Sequence, residues 1–136
     1  MYEIRRELWE EMLAHARGTA PEECCGLLGG RGPSASSVYP LRNVAADRRT
    51  AYEAAPEELF AAQRRMRAAG EELFGIYHSH PRACDPVPSP ADIKLAFYPS
   101  AVYFIIGFDE AGCGVLRAFR ISEKEGRWER AEVEIQ

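Results

Sequence analysis

The sequence predicts an α/β fold in which helices interrupt a mainly β chain, and three observations carry that prediction. Ile4, Leu8, Met12 and Ala16 recur every four residues among charges, the period of an amphipathic helix. Short apolar runs bounded by glycine, proline and serine recur through the rest of the chain, as strands do. The 136 residues are 46% hydrophobic, which is enough for one substantial core.

The first helix is expected from Glu3 to about Gly18, where the glycine can end it. CCGLLGG then reads as a short buried strand, SSVYPLRNV as a second and TAYEA as a third, with RGPSAS as the turn between the first two. Pro56 followed by Glu57 and Glu58 starts a second helix, because proline loses nothing at the first helical position and carboxylates suit the positive end of the dipole. Leu59, Phe60 and Met66 line its buried side, and Gly70 ends it. ELFGIYHSH is a strand that runs straight into two histidines and the loop RACDPVP. Ser89 begins a short third helix through about Phe97. AVYFIIGF, GVLRAFRIS and WERAEVEI close the chain as strands, the first two joined by the hairpin turn DEAGCG. No repeat, low-complexity tract or linker divides residues 1–136, so a single domain is expected.

Net charge is −4 and the pI about 5.4, so the basic footprint of a nucleic-acid or acidic-membrane binder is missing. Arg64, Arg65 and Arg67 read as a solvated helix face. The opening MYEIRRELWEEM mixes charges where a signal peptide needs an apolar stretch, and no run approaches membrane-spanning length. A cytoplasmic protein is expected. Cys24, Cys25, Cys84 and Cys113 form no Cys-x-x-Cys pair, which leaves neither a zinc ribbon nor a thioredoxin-type motif. Free thiols are the plain reading, with Cys24 and Cys25 packed as small hydrophobes.

His78 and His80 stand two apart at the end of a predicted strand, where both side chains face the same way and can share a metal. An isolated His-x-His pair is more often two ordinary polar residues. Asp92 lies in the first turn of the helix that Ser89 begins, and there it also fits a helix start, with Ser89 as N-cap, Pro90 first in the helix and Asp92 as the carboxylate of a capping box. The proline-studded loop after His80 can return that helix start to the histidines. Two imidazoles and one carboxylate leave a fourth tetrahedral position open, the pattern of catalytic rather than structural zinc. Glu22 and Glu23 are the candidate proton carriers, one pointing inward and the other to solvent.

These residues resemble the JAMM, or MPN-plus, metalloproteases, which include deubiquitinating isopeptidases and small bacterial and archaeal relatives. The family signature is a glutamate, then far downstream His-Ser/Thr-His-Pro, a loop, and a serine followed three residues later by aspartate. Here the matching residues are Glu23, HSHP from His78 to Pro81, Ser89 and Asp92. The family glutamate precedes a strand glycine by three residues, as in ECCGLL, and this selects Glu23 over Glu22. The similarity covers nearly the whole chain. It implies an MPN (cytidine-deaminase-like) fold, a mainly antiparallel curved mixed sheet flanked by three helices. It also implies one Zn2+ held by His78, His80 and Asp92, with Glu23 as general base then general acid and Ser89 supporting the oxyanion. The implied reaction is hydrolysis of the amide or isopeptide bond after the C-terminal Gly-Gly of a ubiquitin-like or sulfur-carrier protein, for example a carrier-cysteine adduct. The implied partner is that carrier tail, with no nucleic acid, no membrane and a homodimer left open.

One departure is the loop Pro81 to Pro88, whose eight residues exceed the family's usual seven. Loop-closure entropy changes slowly with length, so one more residue is tolerable. Cys84 and Asp85 lie in that loop within conceivable reach of a metal, although a solvated role is the plainer one. Three rivals stand beside the peptidase reading. A non-catalytic MPN scaffold has no need of all five motif residues. A RadC-like protein is disfavoured by Glu23 in its ECCGLL setting and by Ser79 between the histidines. A cysteine hydrolase using Cys24 or Cys25 with His15 or a motif histidine leaves Asp92 and the His-x-His spacing unexplained.

Overall fold

A computed structural model describes all of residues 1–136. In chain order the elements are β1 (Tyr2–Ile4), α1 (Arg6–Thr19), β2 (Cys25–Arg31), β3 (Ser34–Leu41), α2 (Pro56–Ala68), β4 (Glu72–Ser79), α3 (Pro90–Lys94), β5 (Val102–Phe108), β6 (Gly114–Ser122), β7 (Arg127–Ala131) and β8 (Val133–Ile135). All eight strands join one sheet in the order β7-β6-β5-β4-β2-β3-β1-β8. The pairs β2–β3, β2–β4, β5–β6 and β6–β7 are antiparallel, while β4–β5, β1–β3 and β1–β8 are parallel. Glu132 alone separates β7 from β8, yet these two strands form opposite edges of the sheet. The sheet therefore curls until its edges meet, and the expected curved, mixed sheet with three helices is what the chain forms.

The sheet is covered on both faces, which explains why its central strands are apolar without alternation. On one face α1 packs Leu8, Trp9, Met12 and Ala16 against Leu28, Tyr77, Phe104 and Ile106. On the other, Ala62 and Met66 of α2 meet Leu27, Ile76, Tyr103, Ile105 and Phe119. Adjacent residues such as Leu27 and Leu28, or Ile76 and Tyr77, thus belong to different cores, as the two-residue period of a strand requires. No helix is long and apolar enough to cross a membrane.

Several boundaries differ from the sequence expectation. The first helix begins at Arg6 rather than Glu3, because residues 2–4 pair with β8 and β3 instead. Gly18 lies inside that helix, which ends at Thr19 with the Thr19 hydroxyl donating to the His15 carbonyl and Pro21 following. The turn expected over residues 31–36 contracts to Gly32 and Pro33, where Gly32 takes the left-handed φ of 58°. Residues 50–54 form no strand; a single bridge joins Asn43 to Ala54. The third helix stops at Lys94, short of Phe97. The last predicted strand breaks at Glu132, because its halves serve opposite sheet edges. The Gly70 stop and the residue 109–114 hairpin are present, both with left-handed glycines, Gly70 at 73° and Gly112 at 82°.

Candidate active site

The end of β4 delivers the two histidines. Ile76 faces the α2 core, so His78 and His80, two and four residues on, face the same way. Ser79 points to the opposite side, fully buried, and its Oγ accepts from the Cys24 amide at 2.8 Å while its own amide donates to the Cys24 carbonyl. The serine between the histidines thereby fixes the segment carrying Glu23 beside them.

Asp92 arrives from α3. Ser89 Oγ accepts from the Asp92 amide at 3.1 Å, and the Ser89 amide donates to Asp92 Oδ2 at 2.9 Å, a complete capping box. The same Oδ2 lies 3.1 Å from His78 Nε2 and 3.0 Å from His80 Nε2, and the two Nε2 atoms are 3.2 Å apart. Glu23 completes the group, with one donor atom from each of the four residues within 4.8 Å of the others. His78, Asp92 and Glu23 are buried, while His80 is partly open to solvent.

The spacing fits a metal. A tetrahedral zinc with ligand arms of about 2.0 Å places its ligands roughly 3.3 Å apart, close to the observed 3.0 to 3.2 Å triangle. Buried Glu23 Oε1 has no hydrogen-bond partner, although a buried carboxylate oxygen ordinarily has one. A carboxylate with an unmatched buried oxygen, grouped with those three atoms, is what a proton-handling carboxylate beside a metal should look like. His78 Nδ1 also lacks a partner. Its ring is held instead by stacking on Tyr52, centroids 4.3 Å apart and planes 22° from parallel.

Burial raises Glu23 to about 7, with His80 pulling the other way and Asp92 and Asp47 adding to the rise. Burial also opposes ionisation of Asp92, but the hydrogen bonds from His78 and His80 outweigh it and hold the carboxyl far below its usual range. Burial lowers His78 despite Asp92. For His80 burial is outweighed by the Asp92 contact, and its pKa rises. The cluster thus pairs a carboxylate that stays ionised with one poised near neutrality.

Glu22 turns outward to Arg48 at 3.2 Å, leaving Glu23 as the inward member of the pair. Asp85 does not join the cluster; Arg117 Nε and Arg130 donate to its Oδ1 at 3.1 and 3.4 Å. Cys84 is exposed and also outside it. Cys24 and Cys25 are buried, and burial pushes their thiols up to about 11 and about 12, so neither is an activated nucleophile. His15 hydrogen-bonds the Tyr77 hydroxyl at 2.8 Å, away from the metal-type cluster.

Three contributors escaped sequence reasoning. Asn43 is buried and donates to the Glu23 and Ala51 carbonyls while its Oδ1 accepts from the Ala45 and Glu53 amides, all at 2.9 to 3.0 Å. It staples the 43–53 segment to Glu23. Tyr52, expected in a strand, instead reaches inward to stack on His78. Gly107 lets the long loop lie against β5, since a Cβ there would sit 2.3 Å from the Ala83 carbonyl oxygen. Only the polar Asn43 after an apolar strand carried a visible signal, and it was not distinctive.

Fold and site together define the class: a metallohydrolase on a JAB/MPN fold. A protein from Desulfitobacterium hafniense superposes with a TM-score of 0.86 at 38% identity, covering 100% of this chain and 93% of that one. A JAB1/MPN domain protein from Archaeoglobus fulgidus does so at 0.63 with 23% identity, covering 98% and 97%. The family described as prokaryotic homologs of the JAB domain matches residues 5–122, and the chain belongs to that family. Among relatives, the desampylase of Haloferax volcanii is 41% identical over 106 residues, covering 74% of this chain and 76% of its own. A Thermus thermophilus protein named "Probable TtuB-protein conjugate cleaving protease" is 42% identical over 120 residues, covering 88% and 76%. The CysO-cysteine peptidase of Mycobacterium tuberculosis is 36% identical over 119 residues, covering 87% and 81%.

Proposed function

We propose that residues 1–136 form one domain that hydrolyses the amide bond after the C-terminal Gly-Gly of a ubiquitin-like or sulfur-carrier protein, in the cytoplasm. His78, His80 and Asp92 would hold one zinc ion, Glu23 would carry the proton and Ser89 would support the oxyanion. The observation that carries the reading is the unpartnered, buried Oε1 of Glu23 beside the three-donor triangle. The names of the desampylase, the conjugate-cleaving protease and the CysO-cysteine peptidase support the substrate class.

When bound, zinc supplies Lewis acidity at the scissile carbonyl and lowers the pKa of water at its open position to about 7. The chain's own residues do the rest. Glu23 accepts a proton from the attacking water as the C–O bond forms, and afterwards returns it to the leaving amine as the C–N bond breaks. Ser89 Oγ already accepts from the Asp92 amide, so its hydrogen is free to point at the developing oxyanion. Loss of such a donor typically costs roughly 10²- to 10³-fold in rate. His80 is partly open to solvent, and substrate would enter from that side.

The test measures zinc content and cleavage together. About one zinc per chain is expected, lost in His78→Ala and His80→Ala and kept in an inactive Glu23→Ala. Cleavage is read by mass spectrometry on carriers bearing Gly-Gly-cysteine or Gly-Gly-lysine adducts. Full activity of Glu23→Ala removes the mechanism, and failure on every tail removes the substrate class.

A further inference from the structure

Glu23 and His80 border an open cleft of about 440 Å³ whose wall also carries Asp47, Arg49, Thr50 and Arg82. The two arginines come from different segments. Arg49 sits on the stapled stretch after Asn43, where the Glu23 amide donates to the Arg48 carbonyl at 2.7 Å and the Arg49 amide donates to Asp47 Oδ1 at 3.2 Å. Arg82 is on the long loop two residues after His80, in a turn closed by the Ala83 amide donating to the His80 carbonyl at 3.0 Å. Arg48, between Asp47 and Arg49, turns away to Glu22.

The arginine ion pairs of the chain take up Arg42, Arg48, Arg117, Arg127 and Arg130, and neither Arg49 nor Arg82 is among them. The wall holds two carboxylates, Glu23 and Asp47; neither forms an ion pair with Arg49 or Arg82, and Asp47 Oδ1 accepts from the Arg49 amide. Two guanidiniums with no protein partner therefore share a wall with the proton carrier. A Gly-Gly tail has an uncharged backbone and offers them nothing. A single amino acid joined through its α-amine to that tail places a free α-carboxylate two bonds from the scissile nitrogen, and the planar fork of arginine suits a carboxylate. A lysine ε-amine within a folded protein brings no carboxylate so close.

We propose that Arg49 and Arg82 bind the free α-carboxylate of the leaving residue, making a carrier extended by one amino acid the preferred substrate over a carrier linked to a protein lysine. The proposal rests on the hydrolase reading above and assigns the specificity of that same site. The arginines act on binding and do not take part in bond cleavage.

The test uses three forms of one ubiquitin-like carrier: Gly-Gly-cysteine with a free carboxylate, the same with a C-terminal carboxamide, and a Gly-Gly isopeptide to lysine in a folded protein. The acid should exceed the amide in kcat/KM by about tenfold, through KM, the size expected of a charge-assisted hydrogen bond at a partly wet site. That preference should collapse toward unity in Arg49→Ala/Arg82→Ala. A second arm measures binding of the acid and amide forms to Glu23→Gln by calorimetry, where the same tenfold preference and the same collapse are expected without turnover. Equal handling of acid and amide, a preference that survives the double substitution, or faster cleavage of the lysine isopeptide overturns the proposal while leaving the hydrolase standing. If no form is cleaved, the hydrolase reading falls and the binding arm alone decides the carboxylate site.

Discussion

Glu23→Gln in metal-free protein should make stability less dependent on pH. A carboxyl held at about 7 in the folded chain against an ordinary 4.5 stays protonated in the fold after the unfolded chain has released its proton. The stability linked to it is fully present below pH 4.5 and is lost as pH rises to about 7. The separation of about two and a half pH units, at ~1.4 kcal/mol per unit, sets a ceiling of about 3 kcal/mol. Glutamine has the same shape and never ionises. The stability difference, variant minus parent, should therefore climb by up to about 3 kcal/mol between pH 4 and pH 8. Any fixed cost of placing an amide there cancels in this comparison, while the coupling of Glu23 to His80 and Asp92 is part of what the difference reports. Urea denaturation in chelator at half-unit pH steps measures it, provided the dependence on urea is the same for both proteins. A difference that stays flat with pH would refute the reasoning and mean that Glu23 is solvated in the folded chain. A falling difference would mean its carboxylate has a cationic partner.

A chelator should abolish hydrolysis and added zinc restore it, while a thiol alkylator should leave the rate within about twofold, because the buried thiols are poorly ionised and the exposed Cys84 and Cys113 lie outside the cluster. The opposite pattern would favour cysteine chemistry. Asn43→Ala should cost about 2 kcal/mol in chemical denaturation, since it strands four backbone groups, and should lower kcat more than zinc content because Glu23 loses its tie. Gly107→Ala should cost roughly 1–3 kcal/mol, the penalty for forcing a methyl against backbone, and should speed amide exchange in residues 81–88. Unchanged exchange there would show that Gly107 does not seat the loop.

The elements that position the histidines were legible because local rules govern them: an apolar run ending in HSH, a Pro-Glu-Glu helix start, a hairpin around Gly112. Boundaries failed where pairing partners lie far away in sequence. Residues 2–4 continue the helical pattern, but their place beside β8, more than a hundred residues on, makes them a strand. TAYEA has strand composition, yet Tyr52 is buried against His78, and the Asn43 side chain supplies hydrogen bonds that a ladder would otherwise provide. No pattern in one sequence exposes a side chain that replaces a strand.

Asp92 shows why its two readings were never true alternatives. Capping was the ordinary explanation and metal ligation the sharper one, yet one oxygen atom, Oδ2, accepts from the Ser89 amide and also faces both histidine Nε2 atoms. A carboxylate at the third position of a free helix start can swing. Here the capping box removes that freedom before any metal arrives, so little rotamer entropy remains to be lost on binding. Ser89 does the aiming with its backbone amide and Oγ lone pair, and its hydroxyl hydrogen remains uncommitted. The loop Pro81 to Pro88 has only to deliver Ser89 and Pro90 to the cleft, because the capping box sets the carboxylate once they are there.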